Sequence, residues 1–133
     1  MNCIFCKIIS GEVTGMKVYE DDFSCVFMDI AGDVDGHILA VPKKHVENIL
    51  DCDTDTLHHL TDAVKIVSIH LVDHCGYEGV NLLNASGQCA GQSVGHFHIH
   101  IIPRKPVDGV DAWPKLPGSK ESIETVYKRI KLK

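Results

Sequence analysis

The sequence lacks both a long apolar run and an excess of positive charge. A helix needs roughly 20 consecutive apolar residues to cross a bilayer, and no segment of this 133-residue chain has that character. The formal net charge is -5, with 13 lysines and arginines against 18 acidic residues. Because affinity for nucleic acid depends mainly on cationic contacts to phosphates, we expect neither a nucleic acid nor a membrane among the partners.

The amino terminus also lacks the basic segment and apolar core of a secretory signal peptide. We therefore expect a cytoplasmic protein in which the six cysteines are reduced thiols. The chain length predicts a single domain over residues 1–133, with its core at about residues 3–104. Prolines and glycines interrupt the segment after Pro103, which predicts an irregular tail over residues 105–133 that ends in a short helix.

The apolar pattern predicts an α+β fold with about five strands, one long helix and short helices. Apolar residues recur at helical spacing between Asp53 and Cys75, and a further helical turn is expected near the amino terminus, at residues 4–9. Runs typical of strands lie at residues 17–20, 23–28, 37–41, 79–83 and 96–102. The short connections favour an antiparallel meander with helices on one face.

The most informative stretch is residues 96–102, in which His96, His98 and His100 alternate with apolar residues. Alternation with a period of two predicts a strand, and residues i, i+2 and i+4 of a strand share one face. The three imidazoles are therefore expected on one side of the sheet. Burying a row of ionisable rings for packing alone is costly, which favours a chemical role over three histidines hydrogen-bonded along a polar face.

A single metal ion bound by all three histidines is an unfavourable interpretation of this row. Alternate residues of a strand are about 6.6–6.8 Å apart, so the backbones of His96 and His100 are separated by roughly 13 Å. Zinc lies within about 2.1 Å of its nitrogen ligands, and three histidines in line are not expected to converge on it. At least one imidazole is then free to act as a nucleophile or to transfer protons near neutral pH.

A loop rich in glycine and small polar residues, residues 84–95, leads directly into the histidine row. Glycine allows backbone N–H groups to approach an anion closely, and short polar side chains add further contacts. Glycine-rich loops are usually just turns, but its position predicts that this one contacts a phosphate. The candidate residues are Asn84, Ser86, Gly91, Gln92 and Ser93.

Together these motifs resemble the histidine-triad (HIT) superfamily, and within it the Hint-like branch. The similar segments are residues 96–102, the histidine signature; 91–94, the phosphate-contacting segment; 36–45, the second block; and 27–30, the nucleoside-pocket block. Residues 3–9 are similar to the start of zinc-containing bacterial-type HIT proteins. The resemblance runs from residue 3 to about residue 104, with four motifs in the order that the family has.

The resemblance implies a HIT-like fold whose sheet continues across a homodimer. It also implies a nucleotide-binding hydrolase or nucleotidyl transferase that acts at the α-phosphate of purine nucleotides, most typically a purine nucleoside phosphoramidase. His98 would attack the phosphorus and form a covalent nucleotidyl-histidine, which water then hydrolyses.

The resemblance also assigns roles to residues around His98. His100 and the loop N–H groups would stabilise charge on the phosphoryl oxygens, and His37 and His96 would complete the catalytic set. Asp29, with Ile30 beside it, would accept hydrogen bonds from the ribose hydroxyls of the nucleotide.

Cys3 and Cys6 form a Cys-x-x-Cys pair, for which redox and zinc-binding interpretations are both open. A redox pair is expected beside a thioredoxin-like βαβ pattern, which is missing. The resemblance supplies two further ligands, His45 and His96, which complete a closed Cys2His2 set for one structural Zn2+. The metal would connect the amino terminus to the histidine row and fix the tautomer of His96.

Two alternative functions remain open at this point. One is a dinucleoside polyphosphate hydrolase of the neighbouring Fhit-like branch, against which the Cys-x-x-Cys start and residues 42–45 argue. The other is a nucleotide-binding regulatory module with weak catalysis, against which the complete histidine row argues.

Overall fold

A five-stranded antiparallel sheet forms the centre of the computed structural model, which describes residues 2–133. The elements are α1 (Ile4–Ser10), β1 (Lys17–Glu20), β2 (Ser24–Met28), β3 (Ile38–Pro42), α2 (Thr54–His74), β4 (Gly79–Leu83), β5 (Ile99–Arg104) and α3 (Ile123–Ile130). A single 3-10 turn lies at Gln88–Ala90. The predicted α+β fold, with five strands, one long helix and short helices, is confirmed.

The strand order is β1-β2-β3-β5-β4. Cys25 of β2 is opposite Val41 of β3, and Gly79 of β4 is opposite Arg104 of β5. Since β5 lies between β3 and β4, the predicted meander is correct for the first three strands and wrong for the last two. β3 and β4 run in the same direction, and such strands need a long connection, which α2 provides.

Helices cover both faces of the sheet, and the expectation of one covered face is wrong. On one face α2 packs through residues such as Leu60, Val64 and Val67. On the other face, Phe5 of α1 packs against a second cluster that includes Phe27. The reason is that β2 and β3 are buried along nearly their whole length, so apolar side chains on both faces need cover.

Side chains at the helix starts explain where two of the helices begin. Asp53 precedes α2 and its carboxylate accepts a hydrogen bond from Thr56 N at 3.1 Å. Ser122 caps α3 in the same way, accepting from Thr125 N at 3.2 Å. Within residues 2–133, none of the helices combines the length and the apolarity needed to span a bilayer.

The histidine run is a strand only in its second half. β5 begins at Ile99, so His96 and His98 precede the strand ladder, and the single strand expected over residues 96–102 is corrected in that respect. The backbone there pairs with a loop instead, since Phe97 N donates to Val46 O at 2.8 Å. The alternation persists all the same: Phe97 belongs to the core under α2, whereas His96 and His98 face α1.

Candidate functional site

His98 lines a cavity of about 550 Å³ between α1 and the sheet. The residue is only 5% exposed, and its Nδ1 donates a hydrogen bond to the carbonyl oxygen of His96 at 2.7 Å. In the neutral ring this bond places the proton on Nδ1 and leaves a lone pair on Nε2. The arrangement gives the cavity a nucleophilic nitrogen.

The backbone around His98 is held by Asn84. The side-chain amide of Asn84 donates to His98 O at 2.9 Å, and its carbonyl oxygen accepts from the Ser86 hydroxyl at 2.9 Å. Ser86 Oγ in turn accepts from Ile49 N at 3.1 Å. Both side chains therefore connect the loop to the histidine segment and do not line the His98 cavity; their contact with a phosphate stays a prediction.

Gln92 organises the loop through both ends of its side-chain amide. Its oxygen accepts from Gly87 N at 2.9 Å and from Asn48 Nδ2 at 3.2 Å. Its nitrogen donates to Glu47 O at 2.7 Å and to Val94 O at 2.9 Å. These four bonds use the hydrogen-bonding capacity of the amide, so the side chain of Gln92 stabilises the conformation of the loop.

Among the five predicted loop residues, Ser93 is the one that lines the cavity. The 3-10 turn before it ends at Gly91, whose φ of 95° is in the left-handed region that favours glycine. The turn reverses the chain there and brings Ser93 and Val94 beside His98.

A chain of hydrogen bonds leads from the cavity to the protein surface. His100 Nδ1 lies 2.9 Å from His37 Nε2, and His37 Nδ1 lies 2.9 Å from Asp33 Oδ1. His37 is buried, whereas 56% of the Asp33 side chain is exposed. Burial, together with neighbouring His98 and His37, lowers the pKa of His100. The sequence patterns did not single out Asp33 as a site residue. The one feature that could have indicated it is its position four residues before His37.

Gly36 lies in the turn that positions His37 immediately before β3. Its φ is 83°, and a Cβ there would lie 2.8 Å from Pro103 Cγ and 3.0 Å from the Tyr77 hydroxyl. A side chain at this position would therefore combine backbone strain with a clash, and the loop before β3 would have to move.

Asp29 and Ile30, the predicted nucleoside contacts, line the cavity beyond the end of β2. Asp29 Oδ1 accepts from Ala31 N at 2.7 Å, which orients the carboxylate. Asp29 Oδ2 lies 3.6 Å from His37 Nε2. Ile30 is 91% exposed, so the rim of the cavity carries an uncovered apolar side chain.

The amino-terminal segment forms the opposite wall of the cavity. The sequence patterns did not predict that this segment contributes to the site. The wall residues that it contributes are Ile4, Phe5, Ile8, Val13, Thr14, Gly15 and Met16. The wall is packed closely, since a Cβ on Gly15 would lie 2.7 Å from Ile8 Cγ2. No local pattern could reveal it, because its partners in the cavity lie on strands far away in sequence.

Cys3, Cys6, His45 and His96 converge beside the cavity, as predicted, with one ligand atom of each within 4.8 Å of the others. Cys3 Sγ lies 3.4 Å from His96 Nδ1, Cys6 Sγ lies 3.3 Å from His45 Nδ1, and the two Nδ1 atoms are 3.0 Å apart. Tetrahedral zinc requires roughly 3.3–3.8 Å between such atoms, given its bond lengths to nitrogen and sulfur. The group is close to the size of a zinc tetrahedron.

The chemistry of these four residues also fits a metal ion. His96 Nε2 donates to Pro42 O at 2.8 Å, so Nδ1 of the neutral ring has its lone pair on the side of the cluster. Burial lowers the pKa of His96 and thereby favours the neutral ligand form. Burial and the neighbouring thiol of Cys3 raise the pKa of Cys6, so a cation is what would stabilise the thiolates.

Comparison with known proteins agrees with this geometry. Residues 10–107 match the family described as HIT domain. The chain belongs to the HIT family. It is 35% identical over 136 residues to adenosine 5'-monophosphoramidase hnt1 of Schizosaccharomyces pombe, an alignment that covers 100% of this chain and 98% of the relative.

Solved HIT structures have the same fold. A HIT family member from Bacillus subtilis superposes with a TM-score of 0.84 at 38% identity, covering 98% of this chain and 95% of that one. A zinc-bound histidine triad family protein from Mycobacterium smegmatis gives a TM-score of 0.77 at 29% identity, covering 84% and 81%. The zinc is a property of that relative; in this HIT chain a Cys2His2 group is present that could hold a metal.

Proposed function

We propose that this HIT protein is a nucleotide hydrolase that acts at the α-phosphate of purine nucleoside phosphoramidates. The observation that carries the proposal is the state of His98, which lines a nucleotide-sized cavity with its Nδ1 already bonded to a backbone carbonyl. Nε2 is then the nitrogen available for attack. The phosphoramidase relative from Schizosaccharomyces pombe supports the choice of substrate class.

The reaction divides into two displacements. In the first, His98 Nε2 forms a bond to the α-phosphorus while the phosphorus–nitrogen bond of the substrate breaks, and the amine leaves with one proton taken up from solvent. In the second, water attacks the same phosphorus and the bond to Nε2 breaks, which releases the nucleoside monophosphate, returns one proton to solvent and restores the neutral imidazole. His100 and the loop N–H groups near Ser93 stabilise the phosphoryl oxygens through both steps.

The nucleoside half of the substrate fits the remainder of the cavity. The apolar wall from α1 and residues 13–16 contacts the flat faces of a purine by packing rather than by base-specific hydrogen bonds. Asp29 accepts hydrogen bonds from the ribose hydroxyls, because its Oδ1 is oriented by Ala31 N and its Oδ2 has no such backbone bond. We therefore expect ribonucleotides to bind better than their dideoxy counterparts.

The test compares wild type with His98→Asn on adenosine 5'-phosphoramidate. We expect turnover to fall by at least about 1,000-fold while the variant still binds AMP in calorimetry. His70→Asn is the matched control, since His70 is exposed on α2 and its variant is expected to turn over normally. Wild-type turnover in His98→Asn would end the assignment.

The same assay separates the alternatives. Faster hydrolysis of diadenosine tri- or tetraphosphate than of the phosphoramidate would support a dinucleoside polyphosphate hydrolase. Binding of AMP without turnover of any of these substrates would support a nucleotide-binding regulatory module.

The Cys2His2 group is proposed to hold one structural Zn2+ per chain. The four ligands would leave no open position for substrate, so the metal supplies rigidity rather than chemistry. It would connect α1, which carries Cys6 and one wall of the cavity, to the segment that carries His98.

A homodimer is proposed in which the exposed edges of two β4 strands pair and join the sheets. β4 and β1 are the two edges. Beside β4 lie two exposed apolar side chains, Leu82 and Ile69, whereas β1 carries Lys17 and Glu20, which are charges of the kind that keep an edge unpaired. Pairing across a two-fold axis would cover the apolar edge.

A further inference from the structure

The hydrogen-bonded chain of Asp33, His37 and His100 defines where protons lie in this site, and the inference drawn from it rests on the proposed function. Asp33 Oδ1 accepts from His37 Nδ1 at 2.9 Å and also from Val34 N at 2.9 Å. The second bond orients the carboxylate toward the imidazole. A carboxylate only accepts hydrogen bonds, so His37 keeps a proton on Nδ1.

When both imidazoles are neutral, the position of every other proton in this hydrogen-bonded chain is determined. The neutral His37 has its lone pair on Nε2, which accepts a hydrogen bond from His100 Nδ1 across the 2.9 Å contact. His100 then has its own lone pair on Nε2. Since His100 lines the cavity, the group it offers a phosphoryl oxygen in this state is an acceptor.

Uptake of one additional proton converts His100 Nε2 from an acceptor into a donor without placing a charge on His100. The proton enters at His100 Nε2, and the Nδ1 proton of His100 moves across the hydrogen bond to His37 Nε2. His37 then carries the positive charge, with Asp33 on one side and Asp29 Oδ2 at 3.6 Å from its Nε2 on the other. His100 is neutral, with its proton on Nε2.

The carboxylate of Asp33, which contacts His37 directly, decides which imidazole takes the charge. The pKa of His100 is lowered by burial and by neighbouring His98 and His37, and it is raised by the carboxylates of Asp29 and Asp33. These are the titratable groups that face the pair from the end of β2, from the loop before β3 and from β5. His37 has a carboxylate in direct contact, and His100 has none.

We propose that Asp33 is a positioning residue that holds the charge of the pair on His37, so that uptake of one proton converts His100 Nε2 from an acceptor into a donor for a phosphoryl oxygen. Asp33 lies outside the cavity and acts through His37. The donor form is the one that stabilises the phosphoryl group during attack by His98.

The experiment compares Asp33→Asn with Asp35→Asn. An asparagine at position 33 retains an oxygen that accepts from His37 Nδ1, so this variant removes the charge and leaves the hydrogen bond. Asp35 is also exposed in the same loop and makes no hydrogen bond to a histidine among residues 2–133, which makes it a matched control.

Nitrogen-15 NMR of the unliganded protein reads the proton positions directly. In wild type we expect the His100 proton to move from Nδ1 to Nε2 as the pH falls, while His37 becomes doubly protonated. In Asp33→Asn the same change is expected at a pH lower by about 0.5–1 unit. Asp35→Asn should titrate like wild type.

Kinetics on adenosine 5'-phosphoramidate give the second measurement. We expect kcat of Asp33→Asn at pH 8 to be roughly three- to tenfold below that of wild type, which follows from the smaller donor fraction. The deficit should shrink as the pH is lowered, and KM should change by less than about twofold. A loss of geometry alone would lower kcat equally at every pH.

Three results would overturn the proposal: a His100 proton that stays on one nitrogen at all pH values, an unshifted titration in Asp33→Asn, or an equal shift in Asp35→Asn. Failure of the proposed function itself would be seen separately, as the absence of phosphoramidate turnover by wild type. The NMR measurement is independent of substrate and would still decide the role of Asp33.

Discussion

Each histidine of the row has a different hydrogen-bond partner, and that partner decides what the ring can do. His96 donates from Nε2 to Pro42 O, which leaves Nδ1 for a metal. His98 donates from Nδ1 to the carbonyl of His96, which leaves Nε2 for attack. His100 shares its Nδ1 with His37, so the protons of the pair decide whether its free Nε2 accepts or donates a hydrogen bond. Three identical side chains are thus prepared for three different chemical roles.

At the residue scale, Asp29→Asn tests the proposed ribose contact. Asparagine retains the oxygen that accepts from Ala31 N, so the turn at that position should persist. Loss of a hydrogen bond to a charged group costs about 1.5–3 kcal/mol, which predicts at least a tenfold rise in KM for adenosine 5'-phosphoramidate. The control is the 2′,3′-dideoxy substrate, whose KM should not change. An equal loss on both substrates would contradict the assignment.

The lowered pKa of His100 predicts that the stability of the protein depends on pH. Because its pKa is lowered in the folded protein from an ordinary value of 6.5, the unfolded chain binds more protons below that pH. The free energy of unfolding should therefore be insensitive to His100 above pH 6.5. It should fall as the pH decreases below 6.5, by at most about 1.4 kcal/mol per unit.

Urea unfolding of wild type and His100→Asn at pH 7.5, 6.5 and 5.5 measures this effect. Wild type should lose more stability on acidification than the variant. His70→Asn, at an exposed position on α2, should follow wild type. Parallel pH profiles for wild type and His100→Asn would show that His100 is not the group responsible.

At the scale of single elements, α1 is the one that most needs outside support. A helix of seven residues is not stable on its own. Here Cys3 Sγ accepts from Cys6 N at its start, at 3.5 Å, and Phe5 is buried against the sheet. Since α1 also forms a wall of the cavity, whatever holds α1 in place also stabilises the proposed nucleotide site.

Metal removal should therefore loosen α1 and weaken nucleotide binding together. We expect near-stoichiometric zinc in protein purified without chelator, and a lower Tm and weaker AMP binding after chelation. Cys6→Ser should reproduce the chelated state. Cys75→Ser, at an exposed cysteine outside the cluster, should retain zinc and affinity. Wild-type protein that contains no zinc and binds AMP normally would remove the site.

At the scale of the whole molecule, the two edges of the sheet differ in what they expose. β4 lies beside an apolar groove lined by residues of α2 such as Ile69, where Leu82 is 51% exposed. β1 at the other edge carries Lys17 and Glu20, paired at 3.4 Å. An exposed apolar edge strand is prone to pair with another chain, so association should occur through β4.

Sedimentation of Leu82→Lys and Val18→Lys tests this prediction. Wild type should sediment as a dimer at micromolar concentration, and a charge at position 82 should shift it toward the monomer. Val18 of β1 is 40% exposed at the opposite edge, so the same substitution there should leave the dimer intact. A monomeric wild type, or dissociation by the β1 substitution alone, would contradict the arrangement.

Much of the fold and part of the site were predictable from local patterns. The strands at residues 17–20 and 79–83 and the long helix follow from spacing and capping residues, because neighbours in sequence decide them. The position of β5 between β3 and β4 did not follow, since strand order depends on which distant faces need cover. In the same way Asn84 and Gln92 were recognised as polar loop residues, but their partners are set by packing.

The sequence by itself determined the chemistry available to this protein: a row of histidines with apolar residues between them, a cysteine pair, and the carboxylate Asp29. Those are properties of residue types and of their spacing. Only the tertiary structure decided how that chemistry is divided, because hydrogen bonds to Pro42 O, to the His96 carbonyl and to His37 fix which nitrogen of each ring is left free. Two of these bonds join residues 54 and 63 positions apart, and no local pattern encodes them.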